Sequence, residues 1–252
     1  MEKWQIAVDK FLADYINEDF FIGAILTGSY ATGNNDVNSD VDIFIVTKDS
    51  TDWRERGNRL LDGVMVEYFI NPVRQVVLEL DTGFDNNNIA TTLIFAGSKI
   101  LYDTDDIIKG LVERAKADLD KQIKPVSEYA WNMNCYNVWH SFYELTSKYT
   151  KNVDIEFTYN IFLNNLSRAY FANNQIPLLP VHKIERILSD DMYRERYNLK
   201  KLPEKEFSDK LLACFAAKDY DEKYICAKEL YNYYMEQNSK FDINNFAFRS
   251  KI

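Results

Sequence analysis

The sequence predicts an α+β protein in which a domain built around a sheet precedes an all-helical domain. All eight glycines lie between Gly23 and Gly110, so turns that need a positive φ are concentrated in the first part of the chain. Residues 1–110 carry 19 acidic and 9 basic side chains, a net charge of −10, whereas the later residues carry 20 acidic and 21 basic, a net charge of +1. Because both properties change together along the chain, we predict two domains, 1–124 and 125–252.

The first domain is expected to contain four strands. Phe21–Thr27 is a continuous apolar run that ends at a glycine, which is typical of a buried strand. Segments 40–47 and 64–70 are rich in β-branched and aromatic residues, and 99–102 is a shorter candidate. Helical spacing of apolar residues predicts helices over 3–17, 105–122, 127–149, 156–174, 181–189, 204–217 and 220–237.

Aromatic residues and cysteines are expected to lie inside the second domain. Helical spacing of aromatic side chains usually indicates core, and it is found for Tyr129, Trp131, Tyr136, Trp139 and Tyr143. Cys135 and Cys214 lie in apolar stretches and are expected to be buried thiols. With only three cysteines and two histidines, a disulfide framework and a histidine-rich zinc site are not expected.

Composition and charge exclude several classes of protein. The chain is 46% hydrophobic and 15% aromatic, which suffices for a sizeable core and excludes disorder. A net charge of −9 argues against non-specific binding to nucleic acid. The longest apolar run, 20–26, is too short to span a bilayer, and the first residues lack the apolar run of a signal peptide. We therefore expect a cytoplasmic protein with neither a membrane nor a nucleic-acid partner.

Three acidic residues in the predicted sheet indicate a metal site. Asp40 and Asp42 are two positions apart on a strand, so their side chains share one face and repel each other unless a cation lies between them. Glu67 is a single acid inside the apolar segment 64–70, where burial is costly unless the carboxylate has a partner. Oxygen ligands of this kind favour hard divalent ions, above all Mg²⁺. We expect all three to act as metal ligands and catalytic residues.

A Gly-Ser step at the end of the first strand indicates a phosphate site. Gly28 allows a close approach of the backbone to a phosphate, and the Ser29 hydroxyl adds a hydrogen-bonding group. A short turn, residues 30–33, is expected to follow. Because the sequence has no GxxxxGK[ST] motif and no GxGxxG motif after a strand, the expected nucleoside triphosphate site belongs to neither of those types.

The combined pattern resembles the DNA polymerase β-like nucleotidyltransferase superfamily. Its signature is an apolar residue followed by Gly-Gly or Gly-Ser, a spacer, two acids separated by an apolar residue, and a third acid on a later strand. Residues 26–29 match it with Thr27 in the place where an apolar residue is commonest, residues 39–43 match the pair of acids, and Glu67 matches the third acid. The resemblance implies a catalytic domain with a mixed sheet and flanking helices. It also implies that Gly28, Ser29 and Ser39 bind the nucleotide. A helical domain after the catalytic one is similar to the aminoglycoside and lincosamide nucleotidyltransferases of bacteria.

These observations predict an enzyme that transfers AMP from ATP, or another nucleoside monophosphate from its triphosphate, to a hydroxyl group with release of pyrophosphate. One or two Mg²⁺ ions are the expected cofactors, and the protein is expected to be a monomer or a homodimer. The acidic first domain favours a small cationic acceptor such as an aminoglycoside, as in antibiotic resistance. Two alternatives stay open: an adenylyltransferase that modifies a protein side chain, and a nucleotide-binding sensor without turnover.

Overall fold

The computed structural model describes residues 2–249, so residue 1 and residues 250–252 of the two predicted domains lie outside the described part. The chain divides into two compact units. The first unit comprises the chain up to Gln122 together with Met192–Lys200, and the second comprises Ile123–Asp191 and the chain from Lys201 onward. No sequence pattern predicts the return of Met192–Lys200 to the first unit, and the boundary between residues 124 and 125 stays a prediction.

A mixed five-stranded sheet forms the centre of the first unit. The strands are β1 (Phe21–Thr27), β2 (Val41–Thr47), β3 (Glu55–Leu61), β4 (Val64–Pro72) and β5 (Lys99–Asp103). Their order across the sheet is β3-β4-β2-β1-β5. β2 and β4 are parallel, and the other three pairs are antiparallel. With the helical second unit, this sheet confirms the α+β fold class.

Helices cover both faces of the sheet. They are α1 (Lys3–Leu12), α2 (Gly28–Thr32), α3 (Val73–Thr82), α4 (Ala90–Ala96) and α5 (Ile107–Asp118). Alternation along β2 sends Val41 and Ile43 into the core that includes the apolar face of α1. Phe44 and Val46 point the other way, into the core that includes residues of α3, α4 and α5. The sheet is therefore buried on both faces, which fixes the register of its strands.

Several details of the first unit differ from the sequence prediction. α1 ends at Leu12 rather than at residue 17, because the chain then continues in single turns such as the bond from Tyr15 N to Leu12 O. The predicted turn after Ser29 is part of the short helix α2. The helices α3 and α4 and the strand β3 were not predicted. β3 is a polar edge strand, and its turn to β4 contains Asp62 and Gly63, both with positive φ.

The second unit is built from α6 (Glu128–Thr150), α7 (Glu156–Asn173), α8 (Ile184–Ser189), α10 (Lys205–Ala216) and α11 (Tyr220–Gln237), while α9 (Asp191–Arg196) crosses into the first unit. The expectation that Cys135 and Cys214 are buried free thiols is confirmed. The expectation of core burial is wrong for Tyr129 and Tyr143, which are 58% and 57% exposed, because another face of α6 packs inward. The other three aromatic residues of that set are half-buried: Trp131, Tyr136 and Trp139. Within residues 2–249, no helix has the length and apolarity needed to span a membrane.

Candidate active site

The beginning of β2 presents two carboxylates at one end of the sheet. Asp40 directly precedes the strand, and Asp42 is its second residue. Val41 and Ile43 are fully buried in the core that includes α1, so the intervening Asp42 points to the opposite face. The alternation seen in the sequence therefore positions the acidic side chains as expected.

The parallel pairing of β2 with β4 brings the third acid to the same place. Glu67 is the register partner of Asp42. One carboxylate oxygen from each of Asp40, Asp42 and Glu67 lies within 4.8 Å of the others. These three residues, which we call the acidic cluster, come from positions up to 27 residues apart in the chain. The structure therefore brings together all three acids that the sequence singled out.

The carboxylates of the acidic cluster repel one another unless positive charge lies beside them. Two ionised carboxylates at this separation repel each other by on the order of 3 kcal/mol at an effective dielectric constant of about 20. A neutral hydrogen bond contributes only about 0.5–1.5 kcal/mol and does not offset that repulsion. The donor set consists of hard carboxylate oxygens, which are the ligands that Mg²⁺ prefers. In donor chemistry and spacing, the cluster fits a divalent cation.

Gly28 lies directly against this cluster. Its φ is +65°, a conformation that side chains disfavour. A Cβ placed on Gly28 would lie 1.9 Å from Oδ2 of Asp42, far inside van der Waals contact. Because Asp42 is also the register partner of Thr27, the carboxylate fills the space beside the end of β1. Only glycine fits at position 28 while Asp42 keeps its orientation.

The Gly-Ser step opens a five-residue helix. α2 runs from Gly28 to Thr32, and the Thr32 hydroxyl donates to the Gly28 carbonyl at 3.0 Å. Gly33 ends the helix in the left-handed conformation, with a φ of 73°. Within the described part of the chain, no hydrogen bond engages the hydroxyl of Ser29, which is half-buried. That hydroxyl is therefore available to a ligand.

Ser39, the third residue expected to bind nucleotide, is occupied within its own loop. Its hydroxyl accepts a hydrogen bond from the backbone N–H of Asp36 at 2.8 Å and donates to the Asp36 carboxylate at 3.3 Å. The same carboxylate accepts from the N–H of Asn38. These bonds order the loop that leads into Asp40. The structure thus gives Ser39 a local partner next to the acidic cluster.

Arg56 touches the acidic cluster and was missed by the sequence analysis. Its Nη2 donates to Oε1 of Glu67 at 2.6 Å, and its Nε donates to the same oxygen at 3.2 Å. Arg56 lies on β3, the edge strand that was not predicted. The Asp-Gly pair between two apolar segments, residues 60–61 and 64–66, is a hairpin signal that would have revealed this strand.

A second arginine holds the far end of α2. Arg196, in the returning segment Met192–Lys200, donates from Nη1 to the Gly33 carbonyl at 2.8 Å and to Oδ1 of Asn34 at 3.1 Å. A guanidinium at this place also interacts favourably with the negative end of a helix. The C-terminal end of α2 is therefore held by hydrogen bonds from a residue far away in the sequence.

Comparisons with known proteins give the following matches. Residues 12–89, which include the acidic cluster and the Gly-Ser step, match the family model described as a nucleotidyltransferase domain. A curated relative from Methanocaldococcus jannaschii, "Putative protein adenylyltransferase MJ1305", is 34% identical over 112 residues, which are 43% of this chain and 76% of the relative. A crystal structure of a nucleotidyltransferase-like protein from Exiguobacterium sibiricum matches with a TM-score of 0.44 and 12% identity, over 93% of this chain and 75% of the other.

The family model and the curated relative both identify the same type of catalytic domain. The relative is matched over more than two thirds of its length, and the family model covers every residue of the acidic cluster. Together they establish the reaction class that the arrangement of acids, glycine and serine indicates. The chain belongs to the nucleotidyltransferase superfamily and is a nucleotidyltransferase.

Proposed function

We propose that the protein transfers AMP from ATP to a hydroxyl group of an acceptor and releases pyrophosphate. One observation carries the proposal: three carboxylates converge within 4.8 Å beside a glycine whose side-chain space is filled by one of them. In the reaction, the acceptor oxygen forms a bond to the α-phosphorus of ATP. The bond from that phosphorus to the bridging oxygen breaks, and the electron pair leaves with pyrophosphate.

Each residue of the site has a role in this proposal. Gly28 lets the backbone approach the triphosphate, and the Ser29 hydroxyl donates to a phosphate oxygen. Ser39 supports the nucleotide site through the loop that positions Asp40. Glu67 accepts the proton of the acceptor hydroxyl, as a general base whose carboxylate lies at the cluster. This base makes the acceptor oxygen a better nucleophile during the attack.

Asp40, Asp42 and Glu67 would hold the divalent cation, and their three hard oxygen ligands suit one or two Mg²⁺ ions. A bound Mg²⁺ supplies positive charge that offsets the charge of the triphosphate. Without that charge, the three carboxylates and the triphosphate would repel each other. The proposal therefore requires that removal of the carboxylate charge on either aspartate abolishes transfer.

We propose a small cationic molecule as the acceptor. Residues 1–110, which contain the acidic cluster, carry a net charge of −10. Such a charge attracts cations over long range and repels polyanions such as nucleic acid. An aminoglycoside, which combines amines with hydroxyl groups, has the chemistry that this field favours. This proposal includes the helical residues 125–252 as an acceptor-side domain.

A protein hydroxyl is the second candidate acceptor. It is favoured by the name of the relative from Methanocaldococcus jannaschii, "Putative protein adenylyltransferase MJ1305", which is 34% identical to this chain over 112 residues. The acidic charge that attracts aminoglycosides also attracts a basic protein. The two candidates differ in which molecule carries AMP after the reaction.

The experiment is a screen for pyrophosphate release from ATP and Mg²⁺ with aminoglycosides, lincosamides, neutral polyols and a fractionated protein extract. The first candidate predicts release with a cationic small molecule, and an apparent affinity that weakens with salt because screening acts over about 8 Å at physiological ionic strength. A neutral polyol as the best substrate, with salt-independent kinetics, would contradict the charge argument. AMP found on a protein by mass spectrometry, with none on the small molecules, selects the second candidate.

A further inference from the structure

We propose that Arg56 is a positioning residue for nucleotidyl transfer that acts by fixing the carboxylate of Glu67. The proposal rests on the role given to Glu67 under the proposed function. Arg56 itself is assigned no contact with ATP or with the acceptor. Arg56 affects the reaction only by positioning the side chain of Glu67.

The Arg56 side chain contacts only one of the two carboxylate oxygens of Glu67. Both Nε and Nη2 of Arg56 donate to the same oxygen, Oε1 of Glu67. The second oxygen, Oε2, accepts no hydrogen bond within residues 2–249. Glu67 is 19% exposed at its side chain and Arg56 is 68% exposed. One oxygen of the carboxylate is thus held, while the other stays available for the chemistry of the site.

The guanidinium is itself held in place from a second direction. Its central carbon lies 4.7 Å from the centre of the Phe69 ring, within the range of a cation–π interaction. Arg56 and Phe69 are register partners on neighbouring strands, and Phe69 shares a face of β4 with Glu67. The Phe69 ring stacks in turn on Phe44 of the core, with centroids 6.0 Å apart. The core therefore determines where Arg56 can hold Glu67.

Arg56 also places a positive charge against the acidic cluster. A restrained carboxylate needs less reorganisation when the site is filled than one that turns away from its neighbours. Because small misplacements of reacting groups can cost about a hundredfold in rate, loss of this restraint should reduce turnover. It should leave ATP binding largely intact, since the Gly-Ser step at positions 28 and 29 is unchanged.

Arg59 on the same strand provides a matched control. Its Nη1 pairs with Oδ2 of Asp14 at 2.6 Å, and its guanidinium lies 5.6 Å from the centre of the Phe11 ring. The chemistry is the same as for Arg56: an edge-strand arginine with a carboxylate partner and an aromatic neighbour. Arg59 is the register partner of Val66, whose side chain is buried in the core that includes α1, on the face opposite the acidic cluster. Arg59→Met therefore removes an equivalent ion pair away from the site.

The experiment compares Arg56→Met and Arg59→Met by steady-state kinetics with ATP and the best acceptor from the screen. We expect Arg56→Met to lower kcat by between about tenfold and a hundredfold while KM for ATP stays within about twofold. Arg59→Met should leave both parameters unchanged. Unchanged kcat in Arg56→Met, or an equal loss in Arg59→Met, would overturn the proposal.

A double-mutant cycle with Glu67→Gln gives a readout without ATP or metal. Urea unfolding in EDTA should show that Arg56 and Glu67 are coupled, by about twofold to fivefold in the unfolding equilibrium constant. A coupling factor of one would overturn the proposed contact. If Glu67→Gln keeps full turnover, the role of Glu67 fails. If Glu67→Gln loses turnover but Arg56→Met does not, only the inference about Arg56 fails.

Discussion

Gly28 and Asp42 compete for the same small volume at the end of the sheet: a Cβ on Gly28 would lie 1.9 Å from Oδ2 of Asp42. The glycine is needed both for its positive φ and for the space that it leaves to the carboxylate. Backbone conformation and the geometry of the acidic cluster are therefore linked at one residue. Mutation can separate the two requirements, because Gly33 has a positive φ as well, with no other atom within 4 Å of its Cβ position.

Gly28→Ala should abolish nucleotidyl transfer, whereas Gly33→Ala should retain most of it. Each substitution places an alanine in the left-handed region, which costs about 1–2 kcal/mol of stability. Only Gly28→Ala also displaces the Asp42 carboxylate. Urea unfolding should show a loss of stability in both variants, and pyrophosphate release should separate them. Equal activity in the two variants would contradict the role of Gly28.

Asp40→Asn and Asp42→Asn should each reduce pyrophosphate release to background with the fold retained. Each change removes a ligand charge with little change in volume, and it also relieves repulsion within the cluster. We therefore expect equal or slightly higher stability in EDTA, measured by thermal unfolding. Asp62→Asn removes the same charge from the turn between β3 and β4, and it should keep near-normal turnover. Turnover near that of the wild type in either Asp40→Asn or Asp42→Asn would show that the aspartate is not required.

Glu67→Gln should lower kcat by about 10²–10⁴-fold if the carboxylate is the general base. The amide keeps the size of the side chain but takes up no proton. If Glu67 acts mainly as the base, the affinity for a non-hydrolysable ATP analogue in Mg²⁺ should stay near normal in calorimetric titration. A fall in that affinity as large as the fall in kcat would instead assign Glu67 to metal binding alone.

Arg196→Met should raise KM for ATP by a few fold and reduce stability by about 1 kcal/mol. The guanidinium donates to the exposed Gly33 carbonyl and to Oδ1 of Asn34, which is buried, so its loss leaves one buried acceptor without this donor. Lys200→Met is the control, since Lys200 lies in the same segment but pairs with the exposed Asp120. A KM equal to that of the Lys200→Met variant would show that the contact with α2 does not support nucleotide binding.

The stability of the helical unit should fall in alkaline solution. Burial raises the pKa of the Cys135 thiol from its ordinary value of 9.0 to about 11. A raised pKa in the folded state means that stability is fully present below pH 9 and is lost as the pH rises through 11. Urea midpoints should therefore fall between pH 9 and 11, and they should fall less steeply in Cys135→Ala. Identical pH profiles for the two proteins would contradict the burial of this thiol.

The three strands next to the acidic cluster could be predicted from the sequence because each is a short run of mostly apolar residues, a pattern visible within a few positions of the chain. Phe21–Thr27 is confirmed at both ends, and the acids on β2 and β4 stood out against buried neighbours. β3 was missed because it is an edge strand with polar, mostly exposed residues, and Arg56 was missed with it. The β-propensity of its residues is a weak predictor for such a strand, because its conformation depends on pairing with β4.

The remaining differences have separate causes. Arg196 meets Gly33 across 163 positions in the sequence, and no local pattern carries that information. The short helix α2 was expected as a turn, since five residues give little helical periodicity. The acidic cluster itself was predictable because Asp42 and Glu67 are each costly to bury alone in an apolar strand. The pairing of β2 with β4 then aligns these two residues.

The central claim is that the acidic cluster transfers the adenylyl group of ATP. The most direct measurement incubates the wild-type protein and Asp42→Asn with ATP labelled either at the α-phosphate or at the γ-phosphate, in the presence of Mg²⁺ and the acceptor found by the screen. We predict that the α label moves to the acceptor and the γ label appears in pyrophosphate with the wild type, and that neither moves with Asp42→Asn. Transfer of the γ label to the acceptor, or equal transfer by both proteins, would contradict the claim.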